Sequence, residues 1–235
     1  MAKQKHYPKL MILLIIIIVV GLLVWGYYQS SGTTNLPPAT ASQNNTDPDL
    51  AINNLTKLSV KPAESNQDYD RSSFLKSWSK WRGCNVRQKI LNRDVTDKQL
   101  ALDGCTVIKG NLSDPYTGKV IKLDSKSSIS KSVQIDHVVA LSNAWRTGAR
   151  YLTKEQRNLL ANDDLELIAV SSQANQAKSN MDAAEWLPSN KSFRCAYVAR
   201  QVAVKLKYHL WITPSEQSAI KSVLKTCPAQ KMPAQ

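Results

Sequence analysis

Gln134-Ile135-Asp136-His137-Val138-Val139-Ala140-Leu141 opens the stretch Val133 to Asn180, on which the reading of this chain turns. Asp164-Leu165-Glu166-Leu167-Ile168-Ala169-Val170 and then Ser171-Ser172-Gln173-Ala174-Asn175-Gln176-Ala177-Lys178-Ser179-Asn180 close it. Asp136 and His137 stand side by side in an apolar, β-branched run. A second apolar run follows, and then a polar segment with Asn175 and Lys178. The pattern predicts a strand over 133–138, a second strand over 165–170 and a helix carrying or adjoining 175–180. Neighbouring strand residues point to opposite faces, so Asp136 and His137 share one site only at a strand end or a bulge.

Working outward, Asp70 is placed to cap a helix through Trp81, with Phe74, Leu75, Trp78 and Trp81 on one face and Gly83 as its stop. A short helix is expected over 85–92. Cys105–Gly110 and Lys119–Leu123, around Asp114-Pro115-Tyr116-Thr117-Gly118, read as a β-hairpin. Asp124 to Lys131 reads as a Ser/Lys-rich loop. Beyond the first central strand, a helix starts at Leu141, and Thr153-Lys-Glu-Gln156 fits a capping box. Met181–Trp186 reads as a short helix, Phe193–Leu210 as a long one, and Thr213-Pro214-Ser215-Glu216 as the start of the last. The tryptophans Trp78, Trp81, Trp186 and Trp211 are expected in the core.

The chain has 235 residues and a formal net charge of +13, from 31 Lys+Arg against 18 Asp+Glu. Such an excess points to a polyanionic partner: nucleic acid, anionic lipid or an acidic wall polymer. Lys3, Lys5 and Lys9 precede an uncharged apolar run over 10–28 that ends in Trp25, Tyr27 and Tyr28, and no charge follows until Asp47. The run is long enough to span a ~30 Å hydrocarbon core. Its flanking charge predicts a cytoplasmic tail over 1–9, an uncleaved transmembrane anchor over 10–28 and the bulk outside the cell membrane. A cleaved signal peptide, which would release the domain, is the alternative. Residues 29–66, rich in Ser, Thr, Asn, Pro and Ala, read as a flexible linker before a folded domain over 67–230. Four cysteines, Cys84, Cys105, Cys195 and Cys227, all follow the apolar run. In an exported domain they imply two disulfides, with Cys84–Cys105 and Cys195–Cys227 the favoured local pairing. No glycine-rich phosphate loop occurs, so no nucleotide cofactor is expected.

His6, His137 and His209 are the three histidines. His6 precedes the apolar run, and His209 sits late in a predicted helix, which leaves His137 as the candidate general base. Asp136 offers a carboxylate and Asn175 an amide oxygen, donors that suit a hard divalent cation.

Asp136-His137-Val138-Val139-Ala140-Leu141, Asn162-Asp163-Asp164-Leu165-Glu166-Leu167 and Asn175-Gln176-Ala177-Lys178 together resemble the HNH (ββα-metal, or His-Me finger) endonucleases. The match is nearest to exported bacterial proteins related to the C-terminal domain of GmrSD-type modification-dependent restriction enzymes. The central stretch is also similar to periplasmic non-specific endonucleases with a Glu-His-Val-Val motif. The similarity covers about residues 69–227 and includes Gly83–Arg87, Asp114–Gly118, Ala183–Pro188 and Arg194–Val202.

The resemblance implies an α+β fold: a ββα-metal core with surrounding helices and a β-hairpin, after the N-terminal transmembrane helix. It implies an endonuclease that hydrolyses phosphodiester bonds in DNA, or RNA, outside the cytoplasmic membrane with low sequence specificity. His137 would be the base, and Asp136 and Asn175 would hold Mg²⁺, with Mn²⁺ or Ca²⁺ as alternatives. Lys178, Arg146 and Arg150 would contact phosphate. The chain departs from the family at Glu166, where the family carries an Asn that braces the metal-site loop and orients the histidine; Glu166, grouped with the catalytic residues, can accept from His137 but cannot donate as Asn does, and it is read as holding the imidazole, adding negative charge near the metal or marking reduced activity. Ser179-Asn180 likewise replaces the usual Gly-Asp. The alternative function is a non-catalytic, membrane-tethered binder of nucleic acid or anionic wall polymer on the same scaffold.

Overall fold

The computed structural model describes residues 18–25 and 47–234. The chain divides into two units, Met1–Asn45 and Thr46–Gln235. In the first, residues 18–25 are helical. The rest of the expected anchor, the 1–9 tail and the 29–46 part of the expected linker lie outside the described residues. Among the described residues no helix is long and apolar enough to cross a membrane.

The second unit runs α1 (Ala51–Leu55), β1 (Lys80–Trp81), β2 (Cys84–Asn85), α2 (Val86–Asp94), β3 (Val95–Leu100), β4 (Val107–Ser113), β5 (Val120–Leu123) and α3 (Lys126–Ser132). It continues through β6 (Val133–His137), α4 (Leu141–Arg146), α5 (Lys154–Ala161), β7 (Leu167–Ser171), α6 (Ser172–Lys178), α7 (Arg194–Lys207) and α8 (Pro214–Lys225). The mixed α+β expectation is met with three small antiparallel sheets: β1-β2, β3-β4-β5 and β6-β7.

The β6-β7 ribbon lies between two apolar cores. Its register pairs Asp136 with Ile168 and His137 with Leu167. Val133, Ile135, Leu167 and Ala169 face a core built from α2, the three-stranded sheet and α3. Ile168 and Val170 face the larger core, built from α1, α4, α5, α7 and α8. Burial on both faces explains why β7 reads as an unbroken apolar run rather than an alternating one.

Local signals are realised where the side chains can act locally. Thr153 and Gln156 make the reciprocal capping box of α5. Asn85 caps α2 and Thr213 caps α8. Glu216, however, turns inward from the first turn of α8 to a fully buried ion pair with Lys205, 3.1 Å away. Both disulfides adopt the local pairing: Cys84–Cys105 joins β2 to the β3–β4 loop, and Cys195–Cys227 joins the first turn of α7 to the segment after α8.

Several expectations are corrected. Asp70 does cap a turn, but only a 3-10 turn over Arg71–Ser73; the 71–81 helix is absent. Its backbone is claimed by α5 instead: Arg157 donates to the Ser73 carbonyl, Asn158 to that of Phe74, and Asn162 accepts from the Ser79 N–H. Residues 126–132, expected as loop, form α3, because Ser125 caps it and Ile129 is buried. β3 was not expected, since five of its six residues are exposed and give no alternation. Residues 181–186 form turns rather than a helix.

The expected linker does not extend over 47–66. Leu50, Ala51, Leu55 and Leu58 are buried against the larger core. Ala51 donates to the Gln230 carbonyl, and Lys61 and Ile212 exchange backbone bonds with the Ile212 and Ser59 carbonyls respectively. Composition hid this because a single helical turn supplies most of the apolar contact. Leu55→Ala is expected to cost about 2–5 kcal/mol in urea unfolding; a freely moving linker would show no change.

Candidate active site

The carboxylate of Asp136 lies on the ribbon face turned to the larger core and is 5% exposed. Its Oδ1 is 3.0 Å from the Lys178 ammonium, which is itself 0% exposed and also donates to the His137 carbonyl at 2.9 Å. Its Oδ2 accepts from the hydroxyl of Tyr116. Burial raises the Asp136 carboxyl above the ordinary range, opposed by Lys178 and by the Tyr116 hydrogen bond.

Tyr116 reaches this position from the turn after β4. Asp114 accepts from the Tyr116 and Thr117 N–H groups and from Ser171 at the end of β7, while Gly118 takes a left-handed φ of 74° that lets the chain reverse. The Tyr116 ring packs edge-on against Trp186 and Tyr197. Tyr197 in turn accepts from Gln201, which also donates to the Val138 carbonyl.

His137 points the other way. Its ring stacks on Trp78, with centroids 5.8 Å apart and planes 8° from parallel. Nε2 is 3.0 Å from the Ala161 carbonyl at the end of α5. A carbonyl only accepts, so the proton sits on Nε2 and Nδ1 keeps its lone pair. The ring is 4% exposed, and burial presses its pKa down to about 3, the Ala161 carbonyl opposing. At neutral pH His137 is a neutral imidazole with a fixed tautomer.

Asp136 and His137 therefore do not share a site. β6 keeps its alternation through His137, and no bulge turns one side chain toward the other. Glu166 also fails to brace the imidazole. It is 0% exposed, its Oε2 accepts from the Val139 N–H at 3.2 Å, and Oε1 has no hydrogen-bond partner. Burial pushes its pKa well above the usual carboxylate range, against the Val139 N–H and Lys178.

The remaining expected site residues separate. Asn175 donates to Gln134, one strand step from Asp136 on the same face, at 2.8 Å. Lys178, expected at a phosphate surface, is internal. Arg146 holds the Glu64 carbonyl. Arg150 pairs with the Glu64 carboxylate at 2.9 Å and holds the Ser65 carbonyl, so both arginines pin the 64–67 segment. Tyr116 and Gln134 were missed as partners. The Asp-Pro-Tyr-Thr-Gly turn was the available signal for the first, and period-two spacing from Asp136 for the second. Trp78, expected on a helix in the core, packs against the smaller core without that helix and stacks on the imidazole.

The donor set does not fit a hydrated divalent cation. Both Asp136 oxygens are engaged, one by an ammonium and one by a phenol, while Asn175 gives only its amide N–H to Gln134. Among the described residues no cluster of three or more His, Cys, Asp or Glu side chains forms.

Residues 85–223 match the family described as GmrSD restriction endonucleases, C-terminal domain. The chain is also similar to an "Uncharacterized secreted protein" of Arthroderma benhamiae, 38% identical over 177 residues that cover 74% of this chain and 82% of the relative. No solved structure matches.

Two outcomes test this geometry. Unfolded imidazole protonates near 6.5, whereas folded His137 waits until about 3. The unfolded state thus binds the extra proton between these values, so stability is full above the upper value and falls with pH across the window by about 1.4 kcal/mol per unit. Urea midpoints measured across that range should lose this slope in His137→Gln. Separately, Glu166→Gln should leave stability nearly unchanged, while Glu166→Ala strands the Val139 N–H and should cost about 1–3 kcal/mol.

Proposed function

The chain belongs to the family of GmrSD restriction endonuclease C-terminal domains, and we propose that within it this domain is an exported nuclease of low sequence preference. The family gives a nuclease-related function at the general level. The HNH reading is supported by the order of two antiparallel strands and a following helix, with His137 ending the first strand. Export is supported by the two disulfides and by a relative named as secreted.

The observation that carries the proposal is the state of His137. Its Nε2–H is anchored on a backbone carbonyl and its Nδ1 is left to take a proton from water. A base pressed to about 3 is weak at rest. Entry of an anionic phosphodiester and of water beside the ring would favour the protonated form and raise its basicity. Displacement of Trp78 is the opening this requires. The excess of Lys and Arg supplies sequence-independent attraction for the nucleic acid backbone, with binding that weakens steeply in salt. No step is assigned to a bound metal.

A second reading has its own support. The closed Asp136–Lys178 pair and the buried Glu166, turned to the Val139 N–H, suit a non-catalytic binder of nucleic acid on the same scaffold. Plasmid nicking separates the two. The wild type should nick supercoiled DNA at a rate at least about 100-fold above His137→Ala, in line with loss of a general base. Cutting no faster than the variant would leave the binder reading in place.

A further inference from the structure

We propose that the ammonium of Lys178 stands where a divalent cation would sit at Asp136, and that it closes this carboxylate to metal. The two rungs that join α6 to β6 make the case. Asn175 meets Gln134, and Lys178, three residues on, meets Asp136, two residues on. Three helical residues advance about 4.5 Å and two strand residues about 6.6 Å, and the long Lys178 side chain spans the difference, so the Asn-x-x-Lys segment lays its pair against alternate residues of one strand face.

Lys178 ends with its ammonium between a carboxylate oxygen and the His137 carbonyl, oxygen donors of the type a hard cation takes. Tyr116 occupies the second carboxylate oxygen. The charge balance is already met: one buried ammonium faces one carboxylate. A divalent ion brought to the same oxygens would meet an ammonium in a buried site, where repulsion is screened least. Nor would it help His137, which faces the opposite core.

The inference concerns Asp136 alone, and metal binding rather than cutting is measured, so it stands apart from the nuclease reading. The full chain, freed of metal with a chelator, is titrated with Mn²⁺ alone by calorimetry and electron paramagnetic resonance. Wild type and Asp136→Asn are expected to take up Mn²⁺ equally weakly. Lys178→Met, an apolar chain of similar reach, is expected to bind Mn²⁺ at least about tenfold more tightly than wild type, and to lose that gain in Lys178→Met/Asp136→Asn. One Mn²⁺ bound by wild type at least about tenfold more tightly than by Asp136→Asn would overturn the proposal. So would a folded Lys178→Met without any gain. If Lys178→Met does not fold, the comparison of wild type with Asp136→Asn decides.

Discussion

The structure depends on the ion pair between Asp136 and Lys178, buried where the β6-β7 ribbon meets α6. An ammonium and a carboxylate out of water are tolerated only when their remaining hydrogen-bonding capacity is met. Here Tyr116 and the His137 carbonyl meet it. This requirement reaches far along the chain. Tyr116 must be delivered by the turn after β4, the turn must be held by Asp114, and Asp114 in turn accepts from Ser171, where β7 hands over to α6. Elements distant in sequence are thus locked by one polar centre, with Tyr197, Gln201 and Glu166 buried round it.

The other face of the ribbon works by a different constraint. His137 is anchored by one carbonyl and covered by one indole, and the segment carrying that indole is held by side chains of α5 rather than by a helix of its own. The base therefore sits under a cover whose bonds are few, while the ion pair sits in a core whose bonds are many. The two residues that stand side by side in the sequence belong to separate environments, and their chemistry separates accordingly: one carboxylate committed to structure, one neutral imidazole free at a single nitrogen.

The peripheral basic residues show how position reassigns a charge. Arg146 and Arg150 spend their donors on the 64–67 segment. Arg93 is taken up by Asp94 and by the carbonyls of Asp164 and Leu167, and so fixes the loop that enters β7.

By itself the sequence determined what depends on neighbours along the chain. The strand-strand-helix order at 133–180, the capping box at Thr153, the cap at Thr213 and the local disulfide pairing were all legible, because periodicity and capping act over a few residues. His137 was identified by its lack of a rival among the histidines. Tertiary structure decided the rest. Lys178 reads as a surface cation until its helix is laid on β6, where its buried ammonium meets Asp136. Trp78 leaves its expected helix because α5 offers its backbone better partners, and Leu50–Leu58 leave the expected linker because a remote core is there to bury them. In each case the deciding contacts are with residues tens of positions away, and no local pattern carries that information.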